Sequence, residues 1–142
     1  MDKKIIREIM MDLISIRRSF AKLIVSKLAK SKVSPLQLLM MDFINCHAGV
    51  SLKDIAEQFK ISMASVSEPV EQLAKMKMLK RKDDSNDRRI SRLFVEDKGK
   101  KMLRKTMDES VKQLFGNFSQ KDLKMYHSVL KKISINLEKN KK

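Results

Sequence analysis

The chain has 142 residues and a mass of 16.5 kDa, enough for one compact domain and too little for two with cores of their own. Lysine and arginine number 32 against 17 aspartate and glutamate, and the resulting formal charge of +15 attracts polyanions, which points to nucleic acid as the partner. An apolar fraction of 42% argues against a disordered basic tail, no apolar run approaches the roughly 20 residues of a membrane span, and one cysteine with two histidines excludes an internal disulfide and a zinc site. The N-terminal segment is charged throughout and lacks the apolar core of a signal peptide. The expectation is a cytoplasmic protein with no metal or cofactor.

Three glycines and two prolines interrupt the chain rarely, so it reads as mainly α. Apolar residues from Ile5 through Ile9, Leu13, Ile16, Phe20 and Ile24 to Leu28 recur every three or four positions and predict one amphipathic helix of about seven turns. Ser34 and Pro35 read as the N-cap and first position of a second helix that stops before Gly49. Ser51 with Asp54 resembles a capping box for a short third helix through Leu52, Ile55, Ala56 and Phe59. A tight turn at Lys60 and Ile61 follows, and Ser62 caps a fourth helix carrying Val66, Val70, Leu73 and Met76 on one face. Leu79 to Lys82 and Ile90 to Val95 fit β structure and flank the polar stretch Asp83 to Asp87, which predicts a hairpin. A fifth helix runs from Asp97 to Phe115. Ser119 with Asp122 caps a sixth, whose Leu123, Tyr126, Leu130, Ile133 and Leu137 form a heptad-like seam, and Lys139, Lys141 and Lys142 make a basic tail.

The third and fourth helices have the pattern of a helix-turn-helix. Ile55, Ala56, Phe59, Ile61 and Val66 supply its core, Ala56 is small enough for close approach, and the second helix offers small polar groups outward. Between Lys75 and Lys105, 13 lysines and arginines face 5 acids, a net +8 in 31 residues that leaves +7 for the other 111. Arg88 and Arg89 fall at the tip of the hairpin, where guanidinium groups enter a minor groove or grip phosphates, and Asp87 is close enough to orient Arg89 as a bidentate pair. The expected architecture is therefore a winged helix-turn-helix with a small β-hairpin wing and long terminal helices. The candidate DNA-contacting set comprises Ser62, Ser65, Ser67, Glu68 and Gln72 on the fourth helix, Lys80, Lys82 and Arg92 on the hairpin strands, and Asp87, Arg88 and Arg89 at its tip.

From Ser34 to about Leu103 the chain resembles the MarR family of bacterial transcription regulators. The resemblance is carried by Asp87-Arg88-Arg89 in the wing, by Asp97-Lys98-Gly99 entering the next helix, and by Ser65-Val66-Ser67 upstream. It implies a triangular homodimer joined by the first, fifth and sixth helices (1–33 and 98–142), with two lobes (34–97) that bind a pseudo-palindromic operator. It further implies that Arg89 enters the minor groove while paired with Asp87, that Ser65 and Ser67 face the major groove or its phosphates, and that the usual role is repression. Where many members carry arginine directly after the serine, this chain has Glu68, which suits a cytosine amino group rather than phosphate.

Several features admit two readings. Pro69 either distorts the fourth helix or marks a restart capped by Ser67. The terminal stripes either join two copies or fold over the chain's own core. The eleven methionines are core filler, or they line a cavity for a small lipophilic or aromatic effector, as the resemblance suggests. Cys46, set among Met40, Phe43 and Ile44, reads as buried, the other reading being a redox switch. No nucleophile with a base, glycine-rich phosphate loop or carboxylate pair gives catalysis a foothold. Against a sequence-specific regulator stand a non-specific basic nucleic-acid-binding protein and a helical adaptor for an acidic protein.

Overall fold

The computed structural model describes residues 1–140; Lys141 and Lys142 of the basic tail lie outside the described residues. The elements in chain order are α1 (Lys3–Leu28), α2 (Pro35–Cys46), α3 (Leu52–Phe59), α4 (Met63–Lys75), β1 (Leu79–Asp83), β2 (Ser91–Val95), α5 (Asp97–Phe115) and α6 (Gln120–Lys139). The chain divides inside α5 into two compact units, Met1–Ser110 and Val111–Lys142. No helix among the described residues is long and apolar enough to cross a membrane.

The helices begin where side chains satisfy their free N–H groups. The Ser34 hydroxyl accepts the Gln37 N–H at 3.1 Å while Gln37 Oε1 accepts the Ser34 N–H at 2.8 Å, and Ser51 with Asp54 and Ser119 with Asp122 make the same reciprocal pair. Such caps stabilise a helix by about 1 kcal/mol each, enough to set where a short helix such as α3 starts.

In the first unit the core is built around α2, whose Met40, Met41 and Ile44 are fully buried against Ile55 and Ala56 of α3, Val66, Val70 and Leu73 of α4, and Leu79, Leu93 and Val95 of the hairpin. Strands β1 and β2 pair antiparallel from Leu79 opposite Val95 to Asp83 opposite Ser91. The sheet is anchored on the α2–α3 connection, because Leu93 N–H donates to the Val50 carbonyl and Gly49 N–H to the Leu93 carbonyl. Gly49 sits at φ +89°, a backbone state that glycine reaches without a Cβ penalty, and the Phe94 ring packs just beyond its missing side chain.

Two expectations are corrected here. Helix α4 runs unbroken from Met63 to Lys75 through Pro69 and is capped by Ser62, so the restart at Ser67 is overturned. Cys46 is exposed, not buried: at about 100° per residue it falls on the side of α2 turned away from Met40 and Ile44, so its neighbours in sequence are not its neighbours in space. The methionines divide, with Met40, Met41 and Met78 in the core and Met10, Met11, Met63, Met107 and Met125 on the surface.

Two apolar stripes stay open to solvent. Along α1 they are Ile5, Ile9, Ile16 and Phe20, and along α6 they are Tyr126, Leu130 and Leu137.

Candidate nucleic-acid interface

Helices α3 and α4 are joined by the turn Lys60–Ser62. Lys60 adopts the left-handed conformation, φ 53° and ψ 45°, which lets the Ile61 N–H return to the Ala56 carbonyl at 3.1 Å and ends α3 within one residue. Ser62 then accepts the Ser65 N–H at 3.1 Å, and the two hydroxyl oxygens lie 2.8 Å apart at the exposed N-terminus of α4. Burial of Ile55, Ala56 and Val66, with Phe59 and Ile61 packed against them, holds the pair together.

The outward side of α4 is set by what it buries. With Val66, Val70 and Leu73 turned into the core, Glu68 lies opposite them, Ser65 and Gln72 border the exposed face on one flank, and Ser67 borders it on the other. Ser65, Glu68 and Gln72 are exposed, whereas Ser67 is half-buried. Gln72 is not a free reader: its Nε2 donates to Glu68 Oε1 at 3.3 Å and its Oε1 accepts from Gln37 Nε2 at 2.9 Å.

The wing tip is a built structure. Asp84 Oδ1 accepts the N–H groups of Asn86 and Asp87 at 2.9 and 3.1 Å, and the Asp84 N–H donates to the Ile90 carbonyl, which closes the loop. Asp87 accepts from Arg89 three times: Oδ1 from the backbone N–H at 3.0 Å and from Nε at 3.1 Å, Oδ2 from Nη2 at 3.1 Å. The pair is bidentate, yet the Arg89 side chain remains 90% exposed, so its guanidinium is aimed without being used up. Arg88 is exposed beside it.

Arg92 is turned to the tip loop of the wing and to the α2–α3 connection. Its Nε donates to Asp84 Oδ2 at 2.8 Å and its Nη1 to the Gly49 carbonyl at 3.3 Å, which ties the tip loop, β2 and the α2–α3 connection together. Lys80 and Lys82 are exposed on β1, Lys82 with its ammonium 5.4 Å from the centre of the Phe94 ring.

A cleft of about 200 Å³ joins the two halves of the site: Arg89, Ile90 and Ser91 of the wing, Met63 in the first turn of α4, and Ser51, Leu52 and Lys53 at the start of α3. Arg89 and the N-terminus of α4 therefore share one side of the first unit. Sequence reasoning did not single out Gln37, Asp84 or Lys53. The spacing of Ser34 and Gln37 was a readable capping-box signal, and Asp84-Ser85-Asn86 was a readable turn signal.

Asp84 and Asp87 of the wing loop sit below the ordinary aspartate value of 3.8. For Asp84 the causes are the Asn86 N–H, then the Arg92 guanidinium and the Asp87 N–H; for Asp87 they are the Arg89 guanidinium and then the Arg89 N–H. A carboxyl depressed in the folded state contributes order that is complete above its unfolded value and is lost as the pH falls through the folded one. On acidification from about pH 5 to about pH 2, the amide signals of Asn86, Asp87 and Arg89 are therefore expected to lose their folded shifts ahead of those of Met41 and Ile44, as followed by nuclear magnetic resonance.

Residues 31–90 match the sequence model of the MarR family. No curated protein matches the chain. Among solved structures, FabT of Streptococcus pneumoniae in complex with DNA superposes with a TM-score of 0.78 and 18% identity over 95% of this chain and 99% of that one. A Listeria innocua protein of unknown function gives 0.70 with 26% identity over 94% and 96%, and a mutant MepR of S. aureus bound to an oligodeoxyribonucleotide gives 0.65 with 20% identity over 92% and 97%.

Proposed function

From membership of the MarR family, to which this chain belongs, we propose that it is a sequence-specific DNA-binding transcription regulator acting in the cytoplasm as a homodimer on a pseudo-palindromic operator, and that it represses. The observation that carries the reading is that the exposed Arg89 guanidinium, held by Asp87, borders the same cleft as the first turn of α4. On that reading α4 enters the major groove with Ser62, Ser65, Glu68 and Gln72, while Arg88 and Arg89 reach the adjacent minor groove and its phosphates. Lys80 and Lys82 add phosphate contacts, Ser67 serves from the flank of α4, and Arg92 with Asp84 holds the wing at its angle. Residues 34–97 form the reading lobe, and 1–33 with 98–142 supply the dimer helices.

The homodimer is supported by the open stripes on α1 and α6, since a monomer rarely leaves such runs of isoleucine, phenylalanine and leucine in water. Repression follows from occupancy, because a protein seated on an operator excludes other proteins from it. For a small lipophilic or aromatic effector, the reading is supported by the cleft of about 190 Å³ between the end of α1 and α5, which is bordered by Leu28, Met102, Lys105 and Glu109.

The test is selection of duplexes from genomic fragments, followed by competition of the selected duplex against bulk DNA. A specific regulator prefers the selected site by roughly 1000-fold or more, with a half-site spacing of about one helical turn. Equal competition by bulk DNA supports a non-specific coat, and no DNA retention at physiological salt supports an adaptor. Sedimentation at micromolar concentration is expected to give twice 16.5 kDa.

A further inference from the structure

Gln37 is 3% exposed in the middle of the first unit, far too buried to touch DNA, yet every polar atom of its side chain is engaged. The orientation of its amide is forced. The Ser34 N–H can only donate, so Oε1 must face it, at 2.8 Å. The Pro69 carbonyl can only accept, so Nε2 must face it, at 3.3 Å. The second Nε2 hydrogen then points at Gln72, which has to present its own oxygen, at 2.9 Å, and thereby turns its NH2 outward to the Glu68 carboxylate, at 3.3 Å. A single direction of donation runs from the α2 cap through the proline turn of α4 to the residue at the centre of its exposed face.

We propose that Gln37 is a positioning residue for base reading: it fixes the rotamer and polarity of Gln72, and through Gln72 it holds Glu68 at one place on the outward face of α4. The inference rests on the reading of α4 as the DNA-contacting helix. A carboxylate held in this way accepts from a donor such as the cytosine amino group, and the remaining Gln72 hydrogen is offered beside it. Released, Glu68 becomes a mobile anion near phosphates, which discriminates among bases less well at an unchanged number of phosphate contacts. Pro69 fits the same arrangement: its ring removes an N–H from the helix, and its carbonyl is the group that Gln37 grips across from α2.

The test compares base preferences, by selection from randomised half-sites, for the wild type, Gln37→Met, Glu68→Ala and the double variant. Gln37→Met is expected to lower the preference at one or two base pairs about tenfold, to leave bulk-DNA affinity and its salt slope unchanged, and to add nothing in the Glu68→Ala background. A merely structural role would lower specific and bulk binding together and leave the ranking of bases intact. Preferences unaltered by Gln37→Met, or altered equally with and without Glu68, overturn the proposal. Should Gln37→Met fail to fold, Gln37→Glu keeps the acceptor for the Ser34 N–H and removes the donor to Gln72, and an unchanged preference there overturns it equally. A wild type with no base preference would instead remove the reading of α4 itself, and the proposal with it.

Discussion

Replacing Arg89 by alanine is expected to lower affinity for the selected operator about 100-fold at fixed salt while leaving thermal unfolding unchanged. Among the described residues the guanidinium is hydrogen-bonded to Asp87 alone, its side chain is 90% exposed, and surface ion pairs of this kind contribute little to stability. Its value lies in what it meets on binding. A directed arginine contact in a groove is worth roughly 1–1.5 kcal/mol, and a dimer makes two of them, which gives the expected factor. The plot of log K against log salt should become shallower by about one to two, because each phosphate neutralised contributes about 0.9 to the slope. Asp87→Asn separates aim from charge: the cation stays, the fork that holds it is weakened, and the affinity loss should be smaller with no shallowing of the slope. Fluorescence anisotropy titrations at several salt concentrations, with a melting curve for each variant, measure all of this.

The largest effect on stability is expected at Gly99. A Cβ placed there would lie 2.6 Å from the Met78 carbonyl oxygen, 2.8 Å from Val95 Cγ1 and 3.4 Å from Met41 Sδ. The first of these cannot swing away, since the Met78 carbonyl is held by the Glu96 N–H at 2.8 Å and belongs to the backbone entering β1. The first turn of α5 is thus laid directly on the start of the wing, and only a residue without a side chain permits the approach. Gly99→Ala should destabilise the protein by about 2–3 kcal/mol, the range for overpacking against atoms that cannot move. For a chain of this size that corresponds to a melting point lower by roughly 6–10 °C. Because α5 adjoins the wing, wing amides are expected to exchange faster in this variant than those of α3, and hydrogen exchange reads the difference.

What the sequence disclosed and what it withheld divide along the range of the interactions concerned. Ser34-Pro35, Ser51 with Asp54 and Ser119 with Asp122 mark helix starts because a cap is made within one turn, and all three stand where they were expected. The hairpin was legible in the apolar run Leu93 to Val95 facing Leu79, and the α3–α4 pair in the spacing of Ile55, Ala56, Phe59 and Val66. The long-range bonds by which Gln37 and Arg92 support the site were not legible, because Pro69, Gln72 and Gly49 lie 32, 35 and 43 residues from them, whereas their short-range bonds to Ser34 and Asp84 stay within one turn and one hairpin loop. Cys46 was misjudged for the opposite reason: neighbours in sequence were taken for neighbours in space at the end of a helix whose buried side faces elsewhere. Gly99 was visible as a glycine entering α5, but the carbonyl it accommodates comes from 21 positions earlier in the chain, at Met78.

The central claim, that α4 and the wing form one face fitted to adjacent grooves, is tested most directly by cleaving bound DNA from each of them. With the exposed Cys46 first replaced by serine, Ser65→Cys and Arg88→Cys variants carry a tethered iron chelate that generates hydroxyl radicals locally. Strong cuts are expected from both positions within the same half-site, those from position 65 offset from those of position 88 by about half a helical turn, roughly 5 base pairs. Cuts from position 65 with none from position 88, or from both with no fixed offset, would contradict the claim.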